Sequence, residues 1–112
     1  MTSYSKKSEN RNKVRIIAGK WRSRQLSFTG DVETLRPTPD RVRETVFNWL
    51  QNKIAGARCL DFFTGSGALA FEACSREAAS VTAIDNSREV VAMIKANCQL
   101  LDCQTMNVVH AD

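Results

Sequence analysis

The chain has one histidine and four cysteines, and neither set is arranged for metal or redox chemistry. Cys59, Cys74, Cys98 and Cys103 form no C-x-x-C pair and no zinc-knuckle spacing. The first three fall among apolar residues of predicted elements, where a free thiol behaves as a small hydrophobe. Reduced core thiols in a cytoplasmic protein are therefore expected, with a Cys98–Cys103 disulfide as the alternative. His110 has no Cys, His or carboxylate partner at ligand spacing, so it reads as a strand-end residue and no metal is expected. Apolar runs stop far short of the roughly 20 residues a membrane helix needs, so no membrane association is expected. The opening Met1–Lys13 segment is charged and has no apolar stretch. It makes no secretory signal and is expected to be a disordered basic tail. No repeat or low-complexity segment is visible.

What is present is ordinary in bulk and uneven in charge. The 112 residues, 43% apolar and 25% charged, suit one small globular domain. Residues 1–45 carry 11 basic and 5 acidic side chains, a net of +6, whereas residues 46–112 carry 5 and 7, a net of −2. A basic first third joined to a mildly acidic remainder suggests that the first third meets a polyanion; a solvated basic face without a partner is the plainer alternative. Within that third, Val14 to Leu26 reads as a β-hairpin, two short extended runs flanking Ala18-Gly19. Arg15, Lys20, Arg22 and Arg24 would line a phosphate-tracking surface, joined by Arg41 on the next helix. Trp21 would either stack on a base or pack the hairpin onto the domain. The hairpin and its following loop, Phe28 to Leu35, fill residues 14–35.

Residues 36–112 read as one α/β unit. Arg36-Pro37-Thr38-Pro39-Asp40 opens a helix, with Thr38 as N-cap, Pro39 at the first helical position and Asp40 complementing the dipole. Val42, Val46, Phe47, Leu50 and Ile54 lie at helical spacing as an apolar stripe, and Gly56 ends the element. Strand and helix then alternate: strand 58–62, helix 66–76, strand 80–85, helix 87–100 capped by Ser87, strand 106–110. Such alternation implies βαβ units and a parallel sheet, with any ligand at the carboxyl ends of the strands, where Gly65, Asp85 and Asp112 fall.

Leu60 to Glu72 carries the densest chemistry: a short strand ending in Asp61, a Gly65-Ser66-Gly67 turn, then a helix. Gly65, Gly67 and Ala70 satisfy the G-x-G-x-x-G/A dinucleotide fingerprint, in which the turn holds a pyrophosphate at a helix N-terminus. Asp61 would repel that pyrophosphate and attract an α-ammonium, so the sign of one residue favours S-adenosylmethionine over a dinucleotide. Asp85, 20 residues after Gly65, can accept ribose hydroxyls in either case. A glycine turn used only for tight packing, with Asp61 as a cap, is the structural alternative.

Leu60 to Gly67 resembles motif I of class I S-adenosylmethionine-dependent methyltransferases. Together with Val14-Arg15-Ile16-Ile17-Ala18-Gly19 and the Arg36 to Asn48 segment, it is similar to the bacterial 16S rRNA (guanine-N2)-methyltransferases of the RsmD type, over residues 14–112. The resemblance implies a Rossmann-like fold preceded by a β-hairpin. Asp61, Phe63, Thr64, Gly65, Ser66 and Gly67 would hold the methionine end of S-adenosylmethionine. Asp85 would bind the ribose, Asn86 would lie beside the adenine, and Asp112 would take its amino group. Arg36 and Thr38 would reach the methionine carboxylate. Thr64 stands where the family usually has Ala or Cys, and Ala70 where it often has Gly. The family's [DN]-P-P-[FY] motif, whose acceptors draw the guanine amino protons and whose ring stacks on the flipped base, has no counterpart in residues 1–112. The expectation is the first half of the fold, truncated after its third strand, with no catalytic residue named. An inactive RNA- or nucleoside-binding module is the alternative. The small ribosomal subunit is the implied partner, and an uncovered strand edge implies self-association.

Overall fold

The structure, a computed structural model, describes residues 13–27, 39–62 and 64–112. In chain order the elements are β1 (Lys13–Arg15), β2 (Gln25–Ser27), α1 (Asp40–Trp49), β3 (Arg58–Phe62), α2 (Ala68–Ser75), β4 (Ser80–Asp85), α3 (Arg88–Leu101) and β5 (Met106–His110). The expected Phe28–Leu35 loop, together with Arg36, Thr38 and Phe63, lies outside the described residues.

Three short apolar runs bounded by turns become a parallel sheet in the order β3-β4-β5. Their limits coincide with those read from the pattern. Asp61 pairs in register with Ala83, and Asp85 with His110, so the carboxylate-bearing ends share one edge. Helix α2 packs on β3 and β4, and α3 on β4 and β5. Phe71, Val81, Ala83 and Ile94 are completely buried between them. Ser87 caps α3 as expected, its hydroxyl accepting the Val90 N–H at 3.2 Å, a bond of the kind that contributes about 1 kcal/mol. Helix α2 starts at Ala68 rather than at Ser66, because Gly67 takes a left-handed conformation (φ +82°) that the helix cannot include. A Cβ there would lie 3.0 Å from the buried Phe71 ring. All four cysteines are free thiols; interaction among Cys74, Cys98 and Cys103 lowers the Cys103 thiol and raises the other two.

The N-terminal part departs from the pattern in three ways. Lys13, assigned to the tail by sequence, pairs with Ser27 at the start of the hairpin. The stretch from Gly19 to Ser23 is a turn and not a second strand, closed by Arg22 N–H to Gly19 O at 3.2 Å and Arg24 N–H to Trp21 O at 2.9 Å. Helix α1 begins at Asp40 with Pro39 as N-cap, one residue later than read. Its buried face is Arg43 and Phe47, while Val42 is 47% exposed. An arginine takes the inward position because acceptors await it there, which an apolar-periodicity rule cannot register.

Candidate functional site

The ends of β3 and β4 and the turn between β3 and α2 form one connected unit. After β3 the chain stays paired to β4 through Thr64 N–H to Ile84 O at 3.0 Å. It then reverses through Gly65 (φ +58°) and Gly67, closed by Gly67 N–H to Thr64 O at 2.9 Å. Glycine is needed where φ is positive, since a Cβ would be strained there. The Thr64 hydroxyl donates to Asp61 Oδ2 at 2.8 Å. Asp85, buried at the end of β4, accepts Gly65 N–H on Oδ2 at 3.1 Å and Ser87 N–H on Oδ1 at 2.9 Å. The 20-residue spacing between Gly65 and Asp85 is thus a direct hydrogen bond that ties the glycine turn to the neighbouring strand.

Burial pushes the Asp61 carboxyl above its ordinary 3.8; the Thr64 hydroxyl pulls it down, and repulsion from Asp85 pushes it up again. The two carboxylates are thus near enough to repel one another, an arrangement that favours a cationic group beside them. A carboxylate has roughly four acceptor positions. Asp61 spends one on Thr64, and Asp85 spends two on backbone amides, so both retain capacity for a ligand. Asp61 also borders an apolar cavity of about 200 Å³ lined by Phe47, Leu50, Ile54, Cys59 and Leu69.

Asn86 and Asp112 are exposed at the same carboxyl edge. His110 Nε2 lies 3.1 Å from Asn86 O, and Ala111 N–H donates to Asp85 O at 3.0 Å. The strand ends thus bring together Asp61, Thr64, Gly65, Ser66, Gly67, Asp85, Asn86 and Asp112. Among the hairpin candidates, Arg15, Lys20, Arg22 and Arg24 are exposed, as is Arg41 on α1. Arg15 pairs with Asp40 at 3.4 Å. Of the two readings of Trp21, burial favours packing: it is 8% exposed, its ring part of the core and covered by Lys20 Nζ at 4.8 Å from the centroid. A buried ring is not available for stacking on a base. Two residues that sequence reasoning missed, Arg43 and Glu72, form a completely buried ion pair at 3.2 Å. Among the described residues no cluster of three or more His, Cys, Asp or Glu side chains could hold a metal, and no helix is long and apolar enough to cross a membrane.

A parallel sheet with helical crossovers, an acid closing its first strand, a Gly-x-Gly turn into a helix and a second acid closing the next strand is a partial Rossmann-like methyltransferase fold. The solved Escherichia coli protein yhhF, a methyltransferase candidate, superposes with a TM-score of 0.81 at 47% identity, over 89% of this chain and 54% of that one. The chain belongs to the family described as Conserved hypothetical protein 95, whose model matches residues 14–112. It is similar to ribosomal RNA small subunit methyltransferase D of Haemophilus influenzae, 50% identical over 95 residues, covering 85% of this chain and 49% of that protein. The Escherichia coli protein of the same name is 48% identical over 99 residues, covering 88% and 50%. The chain spans about half the length of these curated relatives.

Proposed function

We propose that this chain carries the S-adenosylmethionine-binding and RNA-facing portion of a cytoplasmic enzyme that methylates the exocyclic N2 amino group of a guanine in 16S rRNA of the small ribosomal subunit. The observation that carries the reading is Asp61, a half-buried carboxylate bonded to Thr64 and set beside a glycine turn that Asp85 holds in place. S-adenosylmethionine supplies the methyl group as an electrophile on a sulfonium. The chain's own residues bind and orient it. Asp61 accepts the α-ammonium, the Gly65–Gly67 turn lets backbone approach the methionine end, and Asp85 uses its remaining acceptor positions on the ribose. Asn86 and Asp112 stand at the adenine side, with Arg36, Thr38 and Phe63 completing the set by family resemblance. The names of the relatives extend the reading to ribosomal RNA. Calorimetry tests it: S-adenosylmethionine or S-adenosylhomocysteine should bind, and NAD should not. Comparable NAD affinity would end the reading.

The hairpin supplies the RNA surface through exposed Arg15, Lys20, Arg22 and Arg24, with Arg41 alongside. Replacing Arg22 and Arg24 together should flatten the salt dependence of RNA binding by about one to two units of slope, since each phosphate contact contributes roughly 0.7–0.9. Cofactor affinity should hardly move. An unchanged slope would place the RNA elsewhere.

A further inference from the structure

The C-terminal half of α2 grips the hairpin by its backbone. Glu72 is completely buried, and each of its oxygens accepts twice. Oε1 takes Ile17 N–H at 2.9 Å and Arg43 Nη1 at 3.2 Å. Oε2 takes Ala18 N–H at 3.0 Å and Arg76 Nε at 2.9 Å. Three residues on, the Ser75 carbonyl accepts Lys20 N–H at 2.9 Å. The Ser75 hydroxyl accepts Trp21 N–H at 3.0 Å and donates to Ala18 O at 2.6 Å. Arg43 closes the third side, donating to Arg15 O at 2.8 Å and to Asp40. The contact is so close that a Cβ on Gly19 would lie 2.0 Å from Ser75 O.

Two observations make this more than packing. First, α2 is the helix that starts at Gly67. The glycine turn and the hairpin are therefore fastened to opposite ends of one rigid element, about 12 Å long at 1.5 Å per residue. Second, a buried carboxylate is costly to desolvate and an apolar side chain of similar volume would fill the space as well. Glu72 differs from such a side chain in what it can accept, and two of its four bonds go to hairpin amides.

We propose that Glu72 is a positioning residue. It fixes the basic hairpin turn relative to the glycine turn, so that RNA held at Arg22 and Arg24 is presented to the cofactor end of the sheet in a single orientation. This rests on the functional reading above, in which the hairpin meets RNA and the strand ends meet S-adenosylmethionine. A displacement of about 1 Å far from reacting atoms suffices to cost a hundredfold in a positioned reaction, so the consequence would be large even where binding survives.

Glu72→Gln in the full chain keeps the shape and turns one acceptor oxygen into a donor facing other donors. Hydrogen exchange at the Ile17 and Ala18 amides should rise about tenfold more than at the β4 and β5 amides, whose rates report the global loss of stability. Affinity for S-adenosylhomocysteine and the salt slope for a 16S rRNA fragment should stay at wild-type values, because no ligand-contacting charge is removed. Photo-crosslinking from a bound azidoadenine analogue of S-adenosylhomocysteine into the bound RNA should fall about fivefold or more, the readout that a merely structural role would leave unmoved. Gly19→Ala disturbs the same contact from the hairpin side with Glu72 and Arg43 intact; it should give the same pattern, and it decides the matter where Glu72→Gln fails to fold. Wild-type protein that binds neither RNA nor S-adenosylhomocysteine would overturn the functional reading. Wild-type protein that binds both, with a crosslink that is absent from the start or persists at full yield in the loosened variants, would overturn the positioning role alone.

Discussion

Asp61→Asn should lower S-adenosylmethionine affinity by about ten- to a hundredfold while making the unliganded fold more resistant to denaturation. The loss is that of a charged hydrogen bond to the α-ammonium, roughly 1.5–3 kcal/mol. The gain in stability follows from the direction in which Asp61 is shifted. Burial first, and repulsion from Asp85 last, raise its carboxyl above 3.8 despite the Thr64 hydroxyl. A carboxyl with a raised native pKa binds its proton more tightly folded than unfolded, so its contribution to stability falls as pH rises through that window. At neutral pH the charge is a cost to the empty fold, and the neutral amide removes it. Cofactor binding has the opposite dependence. As pH is lowered the wild-type affinity should fall off, beginning at a higher pH than an ordinary carboxylate would give, and the Asn variant should be flat over the same range. Calorimetry between neutral and mildly acidic pH, with denaturant melts of both proteins, checks all three movements. Equal affinity in wild type and variant would remove Asp61 from the cofactor site.

The glycine turn was legible because its two glycines and an acid 20 residues on meet at neighbouring strand ends, where Asp85 accepts the Gly65 N–H. An acid beside such a turn is costly to bury, which is why Asp61 reads as a candidate for a cationic ligand. The sheet was legible for a related reason. Residues 58–62, 80–85 and 106–110 are short apolar runs separated by helical patterns of fixed length, and nothing in the tertiary structure competes with that reading. The hairpin and α1 were less legible because contacts distant in sequence overrule local pattern there. Lys20 to Arg24 alternates like a strand, yet Trp21 turns inward to the core, and its N–H is taken by Ser75, 54 residues away. Val42 has the right spacing for a buried stripe. Arg43 takes the inward place because Arg15 O and Glu72 offer acceptors at separations of 28 and 29 residues. Gly19 reads as a turn residue, and its closeness to Ser75 O is visible only in three dimensions.

The same overruling contact sets the largest expected effect on stability. Arg43→Met should destabilise the chain by about 3–5 kcal/mol, the usual cost of removing one partner from a buried ion pair. Arg43 and Glu72 are both completely buried, and the lost guanidinium also serves Arg15 O and Asp40. Against the roughly 5–15 kcal/mol that holds small domains together, that loss is a large fraction of the total. Arg76→Met removes the other cation of Glu72, but Arg76 is 17% exposed and one helical turn away. About 1 kcal/mol is expected there. The informative variant is the double one, Arg43→Met with Glu72→Met. Where a buried pair is only a pair, apolar replacement of both partners is often neutral or stabilising. Here it would leave the Ile17 and Ala18 amides and the Arg76 guanidinium without the acceptor they share. The double variant should therefore remain about 2–4 kcal/mol below wild type, one to three kcal/mol being typical for each buried donor left unpaired. Urea unfolding of the three variants, compared at constant slope, gives these differences directly. Wild-type stability in the double variant would mean that the hairpin amides find other acceptors and that Glu72 does not hold the hairpin.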